Sequence, residues 1–279
     1  MAQGFLDHDA RVPVVPSESM GEEQYMREQA ANAVEEALRH STVGVVGGSG
    51  ENKWRGLGTG TLVEWKGSQL VLTAEHVIRR TAAADLRFFL PLQDVPGNAD
   101  RKTLLNLTGV PTSRLFPFSE LPIRSLVVDT NLDLAAIDIT DSVAGNRIVR
   151  FIPIDAGGTT PDEGTSIVSR GYPHDLLRQT LDSAQVAFMF VHWASVLTPR
   201  NGLQDFDPTF HLLTGFEGEA DAHPKGMSGS AGCIQRKRGD RVWVADLDIG
   251  GVTVGYYENS RLLKLVRREQ IEEFLASHF

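Results

Sequence analysis

The chain has 279 residues, 41% of them hydrophobic and 23% charged, which is the composition of an ordinary soluble globular protein. Its formal net charge of −9 argues against nucleic acid as the main partner. A single cysteine, Cys233, excludes an intrachain disulfide and favours a reducing compartment. Because the N-terminus lacks a signal-peptide pattern and no apolar run reaches membrane-spanning length, we expect a cytoplasmic protein with no membrane partner.

The N-terminal part of the chain predicts a tail followed by one helix. Residues 1–18 combine prolines with polar residues and show no periodic pattern. Ser19 and Glu22 fit a capping box, and apolar residues then recur at helical spacing, which predicts a helix over Met20–Arg39. We expect its apolar face to pack on the rest of the protein; binding of a partner protein is the alternative.

From Ser41 onward, short β-rich runs are separated by turn residues. The first series of predicted strands comprises residues 42–46, 58–65, 69–73, 86–92, 123–129 and 133–139. The second series comprises residues 166–171, 181–193, 210–216, 230–235, 241–247 and 252–257. Helical spacing returns over Val266–Leu275. Two strand series without alternating helices favour an all-β protein over a parallel α/β fold, with the irregular stretch 141–162 between them.

A run of small residues, Gly226–Ala231, surrounds Ser228. Glycines let the backbone turn sharply and approach a ligand closely. A nucleophilic serine needs that access, and it needs backbone N–H groups aimed at the oxyanion that it creates. By itself the run is more typical of a plain loop, so a catalytic interpretation depends on a base and a carboxylate elsewhere in the chain.

Two further residues are candidates for that base and that carboxylate. His76 follows the apolar run that begins at Leu70, and imidazole is the usual general base near neutral pH. Asp133 stands at the head of another apolar run, where burial of its carboxylate is costly unless a donor such as an imidazole N–H binds it. Alone, each is better explained as a structural residue. Their order before Ser228 favours a shared site.

Four blocks in order resemble the signature blocks of the chymotrypsin-like (trypsin-fold) serine proteases. The blocks are Gly58–Val63, Leu72–Val77, Asp133–Ala135 and Gly226–Ser230. Gly171-Tyr172-Pro173 also resembles a strand end of bacterial members without disulfides, and the resemblance extends over about Ser41–Ile271. It implies two six-stranded antiparallel β-barrels with an N-terminal helical extension and a C-terminal helix. The predicted division is residues 1–40 for the tail and helix, 41–145 for the first barrel, and 146–279 for the linker, second barrel and helix.

The resemblance also implies an activity, that of a serine endopeptidase acting through an acyl-enzyme on a protein or peptide substrate. Ser228 would attack the peptide carbonyl, His76 would accept its proton, and Asp133 would fix the imidazole tautomer. The backbone N–H groups of Gly226 and Ser228 would form the oxyanion hole. No cofactor is implied, and no histidine/cysteine cluster has the spacing of metal ligands.

The same resemblance assigns the substrate pocket. It places Ala222 at the base of the primary pocket with His223 beside it, and Thr253 and Gly255 in the substrate-binding strand. Because Ala222 carries no carboxylate, we expect no preference for Lys or Arg in the substrate.

The chain departs from the family at two positions beside the site. Met227 stands where zymogen-activated members have an aspartate that pairs with a newly cut N-terminus. Methionine cannot form that ion pair, so we expect control by a regulatory protein partner, by oligomerisation or by the N-terminal helix. Glu75 replaces the usual small residue before His76, and a side chain facing solvent is the simplest expectation for it.

Three other interpretations account for parts of the sequence. Gly56–Gly60 could form a dinucleotide-binding loop, but a β-like run follows it where a helix is required. An α/β-hydrolase needs its acid and histidine after the serine and a glycine at Ser230, and only His278 lies downstream. The serious alternative is a catalytically silent binding or scaffold protein built on the protease fold.

Overall fold

The structure is a computed structural model, and β-strands dominate it. It describes residues 21–48, 54–82, 85–91, 113–117, 125–140, 150–154, 158, 161–172, 190–216, 224–236 and 246–279. The strands in these ranges are β1 Thr42–Gly48, β2 Trp54–Trp65, β3 Ser68–Ala74, β4 Leu86–Pro91, β5 Ser113–Pro117, β6 Leu126–Asp129, β7 Leu134–Asp138, β8 Ile152–Pro153, β9 Ser166–Gly171, β10 Phe190–Leu197, β11 His211–Gly215, β12 Ala231–Gln235, β13 Leu247–Tyr257 and β14 Leu262–Arg267. The helices are α1 Glu22–Ser41, α2 Glu75–Ile78 and α3 Arg268–His278, with a 3₁₀ turn at Glu258–Ser260.

The strands form two bodies. One is a sheet in the order β5-β4-β1-β2-β3-β7-β6, to which β8 adds a short parallel pair with β2. The other is a closed barrel of six antiparallel strands in the order β10-β11-β14-β13-β12-β9. The all-β prediction with a helix at each end is confirmed. In the residues described, the first body is an eight-stranded sheet, in which β5 and β8 are additional to the six predicted strands. Strand β8 lies in the stretch expected to be irregular, where Ile152 and Ile154 are buried.

Helix α1 packs on the body of the protein, as its apolar spacing predicted. Val34, Ala37 and Leu38 are buried in the main hydrophobic cluster, which also contains residues of both β bodies and of α3. Nη1 of Arg170 on β9 donates to the carbonyl oxygen of Glu35 at 2.8 Å, and burial lowers the pKa of this arginine to about 10. The helix therefore joins the barrel as well as the sheet. No helix in the described part of the chain is both long and apolar enough to span a membrane.

Several boundaries differ from the prediction. The C-terminal helix begins at Arg268 and not at Val266, because Val266 belongs to β14 and pairs with both neighbouring strands. Strand β13 runs without interruption from Leu247 to Tyr257, so the predicted strand 252–257 is its second half. The predicted capping residue Ser19 and most of the strand 241–247 lie outside the described residues, as does the boundary between residues 145 and 146. The division into domains stays a prediction.

A buried ion network holds α3 on the barrel. Arg268 is 1% exposed and pairs with Asp248, which is fully buried, and with Glu272. Arg236 makes a second pair with the same aspartate, at 2.7 Å from Nη2 to Oδ2. Gly158 lies against the guanidinium of Arg268, where a β-carbon would clash with it. The network therefore needs a residue without a side chain at that position.

Replacement of the central cation should be costly. We expect Arg268→Met to lower the free energy of unfolding by about 3 kcal/mol, because it leaves the buried Asp248 carboxylate with one cation fewer. Arg200→Met, at an exposed position, should change it by less than about 0.5 kcal/mol. Urea denaturation measures both values, and equal losses would contradict the assigned role of the network.

Candidate active site

A cleft of about 410 Å³ contains the candidate site, and residues from both β bodies line it. The first body contributes Leu57 and His76, and the barrel side contributes Gly226, Ser228 and the strand segment 253–256, among others. Two of the three residues predicted from the order of motifs, His76 and Ser228, therefore face one cavity.

Strand pairing brings His76 to Asp133. Ala74 at the end of β3 pairs with Leu134 at the start of β7, so the residues just beyond these strand ends lie side by side. Nδ1 of His76 lies 2.6 Å from Oδ2 of Asp133, and the backbone N–H of His76 donates to Oδ1 at 2.9 Å. A carboxylate can only accept, so Nδ1 carries the hydrogen and Nε2 is the ring nitrogen that can take a proton.

The backbone around Asp133 is adapted to this contact. Its φ is +57°, in the left-handed region that aspartate tolerates better than most residues. Its carbonyl oxygen accepts the N–H of Glu75 at 2.9 Å. The side-chain carboxylate and the backbone carbonyl of Asp133 therefore both bind the segment that carries His76.

The segment 224–230, which we call the serine loop, is a sequence of tight turns. The N–H of Met227 donates to the carbonyl of Pro224 at 2.9 Å, and the N–H of Ser230 donates to that of Met227 at 2.9 Å. Gly226 has φ +99° and Gly229 has φ +91°, so both turns use conformations that favour glycine. The small residues in the motif are thus explained by backbone geometry.

Two amides of the serine loop are available to a ligand. The N–H groups of Met227, Gly229 and Ser230 each donate to a backbone carbonyl. Within the ranges that the structure describes, those of Gly226 and Ser228 donate to no protein acceptor, and both residues line the cleft. An oxyanion site needs backbone donors that are not already bonded within the protein.

Strand β2 holds the serine loop through Thr59, which is fully buried. The N–H of Thr59 donates to the carbonyl of Ser228 at 2.9 Å, and its hydroxyl donates to the carbonyl of Gly226 at 2.7 Å. The same hydroxyl accepts the N–H of Tyr172 at 2.9 Å. Sequence reasoning noted Thr59 only as part of a motif, because its partners lie more than a hundred residues away.

Met227 is fully buried beneath the serine loop. Its side chain packs on Gly171, where a β-carbon would lie 2.5 Å from the Met227 sulfur. Met227 therefore makes an apolar contact at the position where zymogen-activated members of the family have an ion-pairing aspartate.

The remaining predicted pocket residues have different outcomes. Thr253 and Gly255 line the cleft, whereas Ala222 and His223 lie outside the described residues. Lys225 and Glu258 also line it and were not predicted, since neither belongs to a recognisable motif. No group of three or more His, Cys, Asp or Glu side chains suited to a metal occurs among the described residues.

The expectation that Glu75 faces solvent is wrong. Its side chain is buried, and Nε of Arg79 lies 2.6 and 2.8 Å from its carboxylate oxygens. This hydrogen bond raises the pKa of Arg79. Glu75 and Arg79 lie four residues apart on one face of the short helix α2. An acid four residues before a base is the sequence pattern that could have predicted this ion pair.

Comparison with known proteins establishes the fold. No family model and no curated protein sequence matches the chain. Among solved structures, human heparin binding protein is similar with a TM-score of 0.54 and 13% sequence identity, over 88% of this chain and 94% of that one. The chain has the chymotrypsin-like fold. At this identity, the similarity concerns the fold alone.

The left-handed glycines provide a test of the serine loop. A β-carbon at Gly229 would clash with the Thr59 carbonyl, whereas at Gly67, which has φ +85°, it would meet nothing within 4 Å. We expect Gly67→Ala to cost about 1–2 kcal/mol for the backbone conformation alone. Gly229→Ala should cost roughly 2–5 kcal/mol, because overpacking is added. Urea denaturation compares the two, and equal costs would refute the close contact.

Proposed function

We propose that the protein is a serine endopeptidase that cleaves peptide bonds through an acyl-enzyme. The observation that carries the proposal is the 2.6 Å contact between His76 Nδ1 and Asp133 Oδ2 beside a cleft that His76 shares with Ser228. The chymotrypsin-like fold is consistent with this activity, and the blocks in the sequence resemble those of bacterial trypsin-like peptidases without disulfides.

The proposed reaction uses these groups in two stages. Nε2 of His76 takes the hydroxyl proton of Ser228 while Oγ attacks the peptide carbonyl carbon. The N–H groups of Gly226 and Ser228 bind the oxyanion that forms. When the C–N bond breaks, Nε2 returns the proton to the leaving amine. A water molecule then repeats the sequence, releasing the carboxylic acid and restoring the serine. Asp133 holds the imidazole tautomer and stabilises the imidazolium throughout.

An extended peptide is the proposed substrate. Thr253, Val254 and Gly255 of β13 line the cleft, and the ladder between β13 and β14 shifts register between Thr253 and Gly255. Bulges of this kind often occur beside active sites, where they redirect a strand. Lys225 and Glu258 both line the cleft, so its walls carry charges of both signs. The proposal that Lys and Arg side chains are not preferred rests on Ala222, which has no carboxylate.

The proposed setting is the cytoplasm, with a protein or peptide as substrate. Cys233 is buried and free, which is consistent with a reducing compartment. Control by a regulatory protein partner is proposed because Met227 cannot form the activating ion pair.

A catalytically silent binding protein is the alternative. The name of the similar structure, human heparin binding protein, refers to binding and not to catalysis. Heparin is a polyanion, and a formal net charge of −9 makes a polyanion an unfavourable ligand for this chain. The alternative therefore needs a ligand of another kind.

A fluorophosphonate probe separates these candidates. We expect it to add covalently to Ser228 in the wild-type protein, and Ser228→Ala should abolish the adduct in intact-mass spectrometry. Ser230→Ala is the matched control, because this serine lies two residues away but is fully buried and bonded to Thr253. A folded wild-type protein that gives no adduct would favour the silent alternative.

Asp133→Asn tests the role of the carboxylate. We expect kcat on a peptide substrate to fall about 10³–10⁴-fold with little change in KM, since the amide favours the wrong imidazole tautomer. Asp129→Asn is the control, because the Asp129 carboxylate accepts the backbone N–H groups of Asn131 and Leu132 in the neighbouring turn. A loss of similar size in both variants would show that the turn, and not the tautomer, accounts for the effect.

A further inference from the structure

Thr59 donates hydrogen bonds to the carbonyl oxygens of both residues whose amides are available in the cleft. Gly226 is bound by the Thr59 hydroxyl and Ser228 by the Thr59 backbone N–H. We propose that the Thr59 hydroxyl is a positioning group that fixes the Gly226–Met227 peptide group, which lies between the two peptide groups carrying the available amides, and so supports the oxyanion hole from the opposite β body. The inference rests on the proposed function and adds a residue to it.

The hydrogen of the Thr59 hydroxyl has a fixed destination. The Tyr172 N–H, 2.9 Å away, can only donate, so the hydroxyl oxygen must accept there. Its single hydrogen is then committed to the carbonyl of Gly226, at 2.7 Å. The hydroxyl therefore links Tyr172, which directly follows β9 of the barrel, with β2 of the sheet and the serine loop.

Thr59 is itself held firmly enough to direct its partner. It is fully buried, and its carbonyl oxygen accepts the hydroxyl of Thr73 at 2.6 Å. Its backbone pairs with Gly44 of β1. Branching at Cβ also restricts the rotamers of a threonine side chain.

Gly226 needs such an anchor. A glycine at φ +99° has wide freedom around both backbone torsions. The Gly226 carbonyl and the Met227 N–H belong to one planar peptide group, so a hydrogen bond at the carbonyl fixes that group next to the flexible glycine. The N–H of the same peptide group, that of Met227, donates to the Pro224 carbonyl, so the group is held from both sides.

Kinetics of isosteric variants give the first test. Thr59→Val removes the hydroxyl and keeps the shape, and we expect kcat to fall about 10–100-fold with KM within about twofold, less than the loss of an oxyanion donor outright. Thr59→Ser should retain kcat within about threefold. Thr42→Val is the control, because Thr42 is also buried and donates to a backbone carbonyl, that of Leu38, at 2.7 Å. If Thr59→Val does not fold, Thr59→Ala replaces it.

Nuclear magnetic resonance gives a second test that does not need activity. A Lys residue precedes a Gly only at Lys66-Gly67 and Lys225-Gly226, so protein labelled with ¹³C-carbonyl Lys and ¹⁵N-Gly gives two correlated amide signals. Loss of the Thr59 hydroxyl should shift the Gly226 signal, because the Gly226 carbonyl loses its donor, while the Gly67 signal stays unchanged. Thr59→Ser and Thr42→Val should leave both signals in place.

The outcomes separate the two ideas. If the wild type reacts and turns over, but Thr59→Val matches Thr42→Val in kcat and in the Gly226 signal, the positioning role is overturned and the proposed function stands. If the wild type neither reacts nor turns over, the proposed function fails. The Gly226 signal then decides by itself whether the Thr59 hydroxyl holds this part of the serine loop.

Discussion

The serine loop and strand β2 approach each other more closely than side chains would allow, and the site depends on that approach. A β-carbon at Gly58 would lie 2.7 Å from the Val77 side chain and 3.0 Å from the Ser228 carbonyl oxygen. One at Gly229 would clash with the Thr59 carbonyl. With glycine at both positions, backbone meets backbone, and short hydrogen bonds across the gap become geometrically available. Any bulkier residue would separate the two segments.

The same approach explains how two β bodies form one site. Thr59 and Thr61 lie two apart on β2 and so project from the same face. Both bind the serine loop, since the Thr61 hydroxyl donates to the Gly229 carbonyl at 3.2 Å and accepts the Ala231 N–H at 2.9 Å. The sheet thus supplies hydroxyl groups, and the barrel side supplies the backbone groups that they bind. A hydrophobic cluster shared by both bodies keeps them in this relation.

Order and residue type were sufficient to select His76, Asp133 and Ser228 as candidates, because each lies in a run whose pattern is local. The strand β14 was missed, since its apolar residues also fit the helical spacing that continues into α3. The burial of Glu75 was missed because it depends on the short helix that brings Arg79 to it. The contacts of Thr59 join residues 113 and 167 positions apart, and no local pattern carries that information.

The alternation of glycine and threonine on β2 has a consequence for finding distant homologues of this chain. Gly58 faces Val77 and the serine loop, and a β-carbon at Gly60 would lie 2.7 Å from the Val71 side chain. The hydroxyls of Thr59 and Thr61 donate to carbonyl oxygens of the serine loop. Each of these four successive positions therefore has its own structural reason to keep its residue. We therefore expect Gly58–Thr61, rather than the residues around the serine, to be the best anchor for finding distant relatives. A Gly/Ser-rich loop arises often by chance, whereas alternating glycine and threonine on a buried strand has few other uses.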